Sequence, residues 1–162
     1  MTGSWTVDGT FNAGTGTVSF LDGCGSIGAT ISGSNTFNDL SITTATGRLI
    51  RLDAGETTTV SGALSLGGAS GNLLVLRSSV DGSETFFDLD APASGDFVDV
   101  KDHHAVDQPI SLGPNSVGAG NTTGWSIAAA VPVLGVLGLL ALAGGLQLTA
   151  RRVLRRRARE SP

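Results

Sequence analysis

The side chains best suited to chemistry crowd into one stretch: Asp99, Asp102, His103, His104 and Asp107. Imidazole together with carboxylate is a donor set that can hold a divalent ion. The spacing matches no established metal motif, and consecutive residues such as His103 and His104 point to opposite faces of a strand. The cluster therefore reads first as an exposed turn after 97–100, with no cofactor and weak divalent-cation binding at most. Glycoside hydrolysis needs two carboxyl groups ~5–9.5 Å apart. Asp88 with Asp90 would share one face of a strand, as would Asp99 with Lys101, but solvated strand edges and turns explain the same residues. No Ser–His–Asp arrangement is legible. Gly23-x-Gly25-x-x-Gly28 has the letters of a dinucleotide fingerprint, yet residues 29–32 continue as strand, so no helix terminus awaits a phosphate. Cys24 is the single cysteine, which excludes an internal disulfide. The Leu21-Asp22-Gly23-Cys24 run only faintly echoes a lipoprotein cleavage box.

The elements that must carry these residues are short strands. Thr15-Gly16-Thr17-Val18-Ser19-Phe20, Phe37-Asn38-Asp39-Leu40-Ser41-Ile42 and Val60-Ser61-Gly62-Ala63-Leu64-Ser65-Leu66 alternate in polarity. Leu73-Leu74-Val75-Leu76 is a continuous apolar run, as a strand covered on both sides would be. Phe86-Phe87-Asp88-Leu89, Phe97-Val98-Asp99-Val100 and Ile110-Ser111-Leu112 follow, with Gly-rich breaks between them. Strand centres about ten residues apart fit a sandwich, a barrel or a solenoid with two or three short strands per coil. Small Thr, Ser and Val side chains suit tight stacked coils. The expected fold is all-β, a parallel β-helix or solenoid-like domain over 1–112, with a β-sandwich as the alternative. Residues 113–126, rich in Gly, Asn and Ser, read as a spacer.

Residues 127–150 carry no charge, and six arginines follow. A helix of that length spans ~36 Å, enough for a ~30 Å hydrocarbon core. Residues 1–126 hold thirteen acidic and four basic groups, a net of −9, whereas 151–162 hold six arginines and Glu160, a net of +5. Arginines beside a span stay cytoplasmic. The expectation is a single-pass protein of the cell envelope, with 1–126 outside, a transmembrane helix over 127–150 and a cytoplasmic tail over 151–162. Beside a span the arginines serve anionic headgroups of membrane lipids rather than nucleic acid. The opening residues have neither a basic nor an apolar signal region. Together with a first rung that begins without a cap, this suggests the C-terminal piece of a longer product.

The alternating segments quoted above, with Ala29-Thr30-Ile31-Ser32-Gly33, Leu76-Arg77-Ser78-Ser79, Phe97-Val98-Asp99-Val100-Lys101-Asp102 and the closing Gly120-Asn121-Thr122-Thr123-Gly124-Trp125, resemble the repeats of large bacterial surface proteins. The resemblance covers about 5–126 and implies an extracellular, adhesin-like β-helix module with a glycan or matrix ligand. The tail is similar to the sorting tails of exosortase substrates, the PEP-CTERM group. Val131 and Pro132 would be its motif, 133–150 its span, and Arg151, Arg152, Arg155, Arg156 and Arg157 its basic cluster. It lacks the Pro-Glu-Pro triplet of that group. The resemblance implies an exosortase-like processing enzyme as a partner; a plain stop-transfer anchor has the same physics. The expected function is a non-enzymatic, membrane-anchored surface module. The alternative is a carbohydrate-active enzyme, a polysaccharide lyase or hydrolase, on the same scaffold.

Overall fold

The computed structural model describes residues 1–7, 11–23 and 28–129. Within them the chain winds through three strands per coil. The first coil holds β1 (Thr17–Phe20), β2 (Gly28–Ile31) and β3 (Asn35–Phe37). The second holds β4 (Asp39–Thr43), β5 (Arg48–Leu52) and β6 (Thr57–Val60). The third holds β7 (Leu64–Gly67), β8 (Leu74–Ser78) and β9 (Thr85–Leu89). The fourth holds β10 (Ala93–Asp96), β11 (Val98–Lys101) and β12 (His103–Val106). The fifth holds β13 (Ile110–Leu112), β14 (Val117–Gly118) and β15 (Thr122–Thr123), and β16 (Trp125–Ile127) opens another.

Each strand pairs with its counterpart one coil away. The first sheet runs β1-β4-β7-β10-β13-β16, the second β2-β5-β8-β11-β14 and the third β3-β6-β9-β12-β15. Every ladder between named strands is parallel. A sandwich of hairpins and Greek keys would be antiparallel. The fold is thus a three-sided parallel β-solenoid, and the sandwich alternative falls.

Alternation along each strand sends every second side chain inward, and the parallel register stacks like on like. Phe20, Ile42 and Leu66 form one interior column, Ile50, Leu76 and Val100 a second, and Phe37, Val60 and Leu89 a third. All nine are at most 4% exposed. Burial of each such side chain is worth about 1.5–3 kcal/mol. Short strands suffice because a rung shares its apolar face with the rungs on either side.

The first rung is not bare. Trp5 bridges Ile31 in parallel, and Leu21 N–H donates to the Met1 carbonyl at 2.8 Å. The rings of Trp5, Phe11 and Phe37 meet at 4.9–5.7 Å and cover the N-terminal end of the apolar interior. Arg48, 3% exposed, projects inward and donates to the carbonyls of Thr2 and Leu21, tying the opening residues to the second coil.

Two boundaries differ from those expected. Residues 113–126, expected as a spacer, carry β14 and β15 and the start of β16. The strands are built on Val117, Thr122, Thr123 and Trp125, which pair with the preceding coil, while the Gly and Asn residues fall mostly at the turns between them. Ile127, expected to open the span, ends β16, and Ala128 N–H donates to the Leu112 carbonyl at 2.8 Å. Among the described residues no helix is long and apolar enough to cross a membrane. The remainder of 127–150 lies outside the described residues, as does the tail 151–162.

Candidate functional site

The residues singled out for metal chemistry are separated. β11 and β12 meet at a one-residue corner, Asp102, whose φ of 59° turns the chain from the second sheet to the third. Asp99 therefore faces outward on the second sheet, while His103 points into the solenoid and His104 out of the third sheet. Asp107, at φ 63°, sits at the next corner. The expected exposed turn is instead largely internal, since Asp102 is 1% exposed and His103 is fully buried. Among the described residues no three His, Cys, Asp or Glu side chains are grouped to hold a metal ion. Asp88 faces outward on β9 and Asp90 lies in the bend after it.

Several carboxylates act as staples between coils. Asp22 accepts the Thr44 hydroxyl at 2.5 Å and the Ala45 N–H at 2.7 Å, and these hold its carboxyl below the usual range. Asp96 accepts from the Asn115 amide at 2.7 Å, with the same effect. Asp102 accepts the Gly82 N–H at 3.0 Å and the Asn121 amide at 2.8 Å, and its carboxyl is likewise lowered. Such contacts favour the charged form.

His103 is the one strongly perturbed group in this set. Its Nδ1 lies 2.8 Å from the Lys101 carbonyl, which can only accept, so Nδ1 carries the proton. Nε2 is left as a bare acceptor with no hydrogen-bond partner among the described residues, and the imidazole ring packs against Phe87 and Trp125 with ring centroids 5.8 and 6.1 Å away. Burial lowers the imidazole pKa from 6.5 to about 4. No substrate can reach it, so its role is structural.

The outward faces carry what the solenoid can present. On the first sheet Ser19, Ser41, Ser65, Ser94, Ser111 and Ser126 stand in one unbroken register, one per coil. Strand spacing puts them about 4.8 Å apart. On the second sheet Arg51, Arg77 and Lys101 are in register. Arg77 pairs with Asp99 at 2.7 Å and Lys101 with Asp81 and Asp102, while Arg51 is exposed with no ion pair among the described residues. On the third sheet Phe86 and Asp88 face outward along β9, flanked by Thr57 and Thr59 on β6 and by His104 on β12, and Glu84 lies at the end of the corner just before the strand. Phe86 and His104 rings lie 5.6 Å apart.

Sequence reasoning missed the serine ladder and the outward position of Phe86. A signal for the first was present, because serine flanked on both sides recurs as Val-Ser-Phe, Leu-Ser-Ile, Leu-Ser-Leu, Ala-Ser-Gly, Ile-Ser-Leu and Trp-Ser-Ile. The intervals between these serines are 22, 24, 29, 17 and 15 residues, so no fixed period exposes them. The expected anchor residues Val131, Pro132, Arg151, Arg152, Arg155, Arg156 and Arg157 lie outside the described residues. No protein-family model, curated protein or solved structure matches the chain, so its function is argued from its own geometry and sequence.

Proposed function

We propose that the chain is a membrane-anchored, cell-surface structural or adhesive module, non-enzymatic, held at the envelope with its solenoid outside. The observation that carries this reading is the pairing of a continuous stack of coils with an uncharged segment followed by six arginines. A solenoid is a quasi-one-dimensional rod whose faces extend with each coil, which suits display or spacing away from a surface. The solenoid takes up 127 and 128, and residues 130–150 would still make ~31 Å of helix, enough to span. The six arginines directly after the segment orient it, with the arginines inside. Val131 and Pro132 would be the recognition point for an exosortase-like enzyme if the tail is cut. Deleting Val131–Pro162 tests the anchor. The truncated protein is expected in the medium and the full chain in the membrane fraction. A truncated protein that still sediments with membranes and resists alkaline extraction would refute the anchor.

A further inference from the structure

We propose that the outward face of β9 is a sugar-binding platform for a neutral polysaccharide, with Phe86 as its stacking surface and Glu84 and Asp88 as hydrogen-bond acceptors. The proposal rests on the adhesive reading above and names its site and ligand class.

Phe86 occupies a position where the fold needs no aromatic. The inward residues of β9, Thr85, Phe87 and Leu89, are at most 2% exposed and already complete the interior. Phe86 instead projects from the third sheet, in register with Thr57 on one side and His104 on the other. It is the only aromatic at an outward strand position among the described residues of the three sheets. Beside it a groove of about 560 Å³ is lined by Ala54, Gly55, Gly82, Ser83, Glu84 and Asn121. Gly55 and Gly82 form the corners above the groove at φ of 79° and 81°, and neither position has a neighbour within 4 Å. Glycine is the favoured residue at such a φ, and the absence of side chains at both corners leaves an open approach to the ring.

The chemistry selects the ligand. One face of a pyranose is lined with C–H groups and packs on an aromatic ring, while its rim of hydroxyls donates to carboxylates. Glu84 and Asp88 stand two residues to either side of Phe86, so one ring contact is bracketed by two acceptors. His104 Nδ1 lies 4.0 Å from the Glu84 carboxylate at that side of the platform. A few convergent polar groups around an apolar contact is the usual composition of a small-molecule site. Both acceptors are acidic, and residues 1–126 carry a net −9, so a polyanion is repelled. The other two faces do not compete: the first presents a column of serines without a ring, and two of the three cations on the second are engaged by carboxylates.

The test is isothermal titration of the full chain in a polyoxyethylene detergent, which carries no sugar. The probes are hexamers of β-1,4-glucose, of β-1,4-N-acetylglucosamine and of galacturonate. At least one neutral hexamer is expected to bind with Kd below about 1 mM, and the galacturonate hexamer not to bind. Phe86→Ala should weaken binding by about tenfold, corresponding to ~1.4 kcal/mol, and Phe86→Trp should keep it. Phe86→Leu retains apolar cover while removing the ring, so its loss of binding in a protein with unchanged melting separates stacking from folding. The proposal is overturned if neither neutral hexamer binds at millimolar concentration, if Phe86→Leu binds like the wild type, or if galacturonate binds as tightly as the neutral probes. Membrane fractionation reads the anchor independently, so a failure here is distinguishable from a failure of the surface-module reading.

Discussion

His103 should make the C-terminal half of the solenoid acid-sensitive in a window where no other cited group acts. Its imidazole is fully buried, proton-bearing at Nδ1, and faces Phe87 and Trp125 with a bare Nε2. Adding a second proton would place a cation among aromatic rings without an acceptor. Burial is the main cause of the lowered pKa; the Lys101 carbonyl and Asp102 oppose it, and Arg77 adds to it. The folded value of about 4 lies below the unfolded 6.5, so between these the unfolded chain binds more protons. Stability is therefore full above pH 6.5 and falls as pH drops, by ~1.4 kcal/mol per pH unit, until about pH 4. The whole loss is roughly 3 kcal/mol. The lowered carboxyls of Asp22, Asp96 and Asp102 contribute stability that begins to be lost only at about pH 5 and mostly goes below 3.8, so from pH 6.5 to about 5 the slope belongs to His103. The raised amine of Lys101 acts above 10.5.

The assay is urea unfolding of the full chain in detergent, followed by Trp125 fluorescence in a Trp5→Phe background. Wild-type midpoints should be level from pH 7.5 to 6.5 and then decline. His103→Phe should abolish the slope whatever its own effect on stability at neutral pH. The imidazole carbon shifts of His103 should titrate with a midpoint near 4. A wild type that stays flat to pH 4.5, or a Phe variant with the same slope, would refute the reasoning.

Two further outcomes follow from local geometry. Gly82→Ala meets no neighbour within 4 Å and suffers only its φ of 81°, a cost of ~1–2 kcal/mol, whereas a Cβ at Gly68 would lie 2.3 Å from the Phe97 carbonyl oxygen. Gly68→Ala should therefore cost ~3 kcal/mol or more, and thermal melts that reverse the order would contradict the packing. Arg48→Met removes a buried cation that has no ion pair among the described residues, and frees the carbonyls of Thr2 and Leu21. The global midpoint should move by less than ~1 kcal/mol, while amide exchange at Trp5 and Leu21 rises at least tenfold; unchanged exchange there would dismiss the arginine as a tether.

Strand existence was legible because alternation is a local property. Leu64 with Leu66 and Val98 with Val100 announce their inward sets by side-chain type alone, but the run from Val60 to Leu66, expected as one strand, is the end of β6, a corner and the start of β7, and Phe97 is a corner. The choice of a solenoid over a sandwich was legible only indirectly, through small side chains and short runs, since parallel pairing is a relation between segments 15–29 residues apart. Phe86 was hidden beside Phe87: in the run Phe86-Phe87-Asp88-Leu89 either ring could be the inward one, and only the phase set by Leu89 and Thr85 decides. His103 and His104 are the reverse case. Period two correctly separated them, but the burial of Asp102 depends on a corner of one residue, which no propensity reveals. The strands over 113–126 escaped notice because they are only two or three residues long, Val117–Gly118, Thr122–Thr123 and Trp125–Ile127, set among Gly, Asn and Ser, and pair on a template that the previous coil supplies.

That template explains how an irregular sequence makes a regular surface. Coil length varies widely, yet register on each sheet never slips, so the corners must absorb every difference. Between the second and third sheets the corner is six residues in the third coil, 79–84, but only Asp102 in the fourth. Three of the one-residue corners, Phe97, Asp102 and Gly124, turn by a reversal of backbone hand at φ of 56°, 59° and 74°, whereas Asn38 turns between β3 and β4 without one. For Phe97 this region costs of order 1–2 kcal/mol, which the parallel ladders on both sides must outweigh. Length changes are thereby confined to corners, and the columns of the faces are protected from them. A one-residue slip within a strand would turn its whole inward set to solvent, so selection for the apolar interior also preserves every outward column. The serine column on the first sheet and the Thr57–Phe86–His104 column on the third stay aligned for that reason, although the intervals between their members differ by up to fourteen residues.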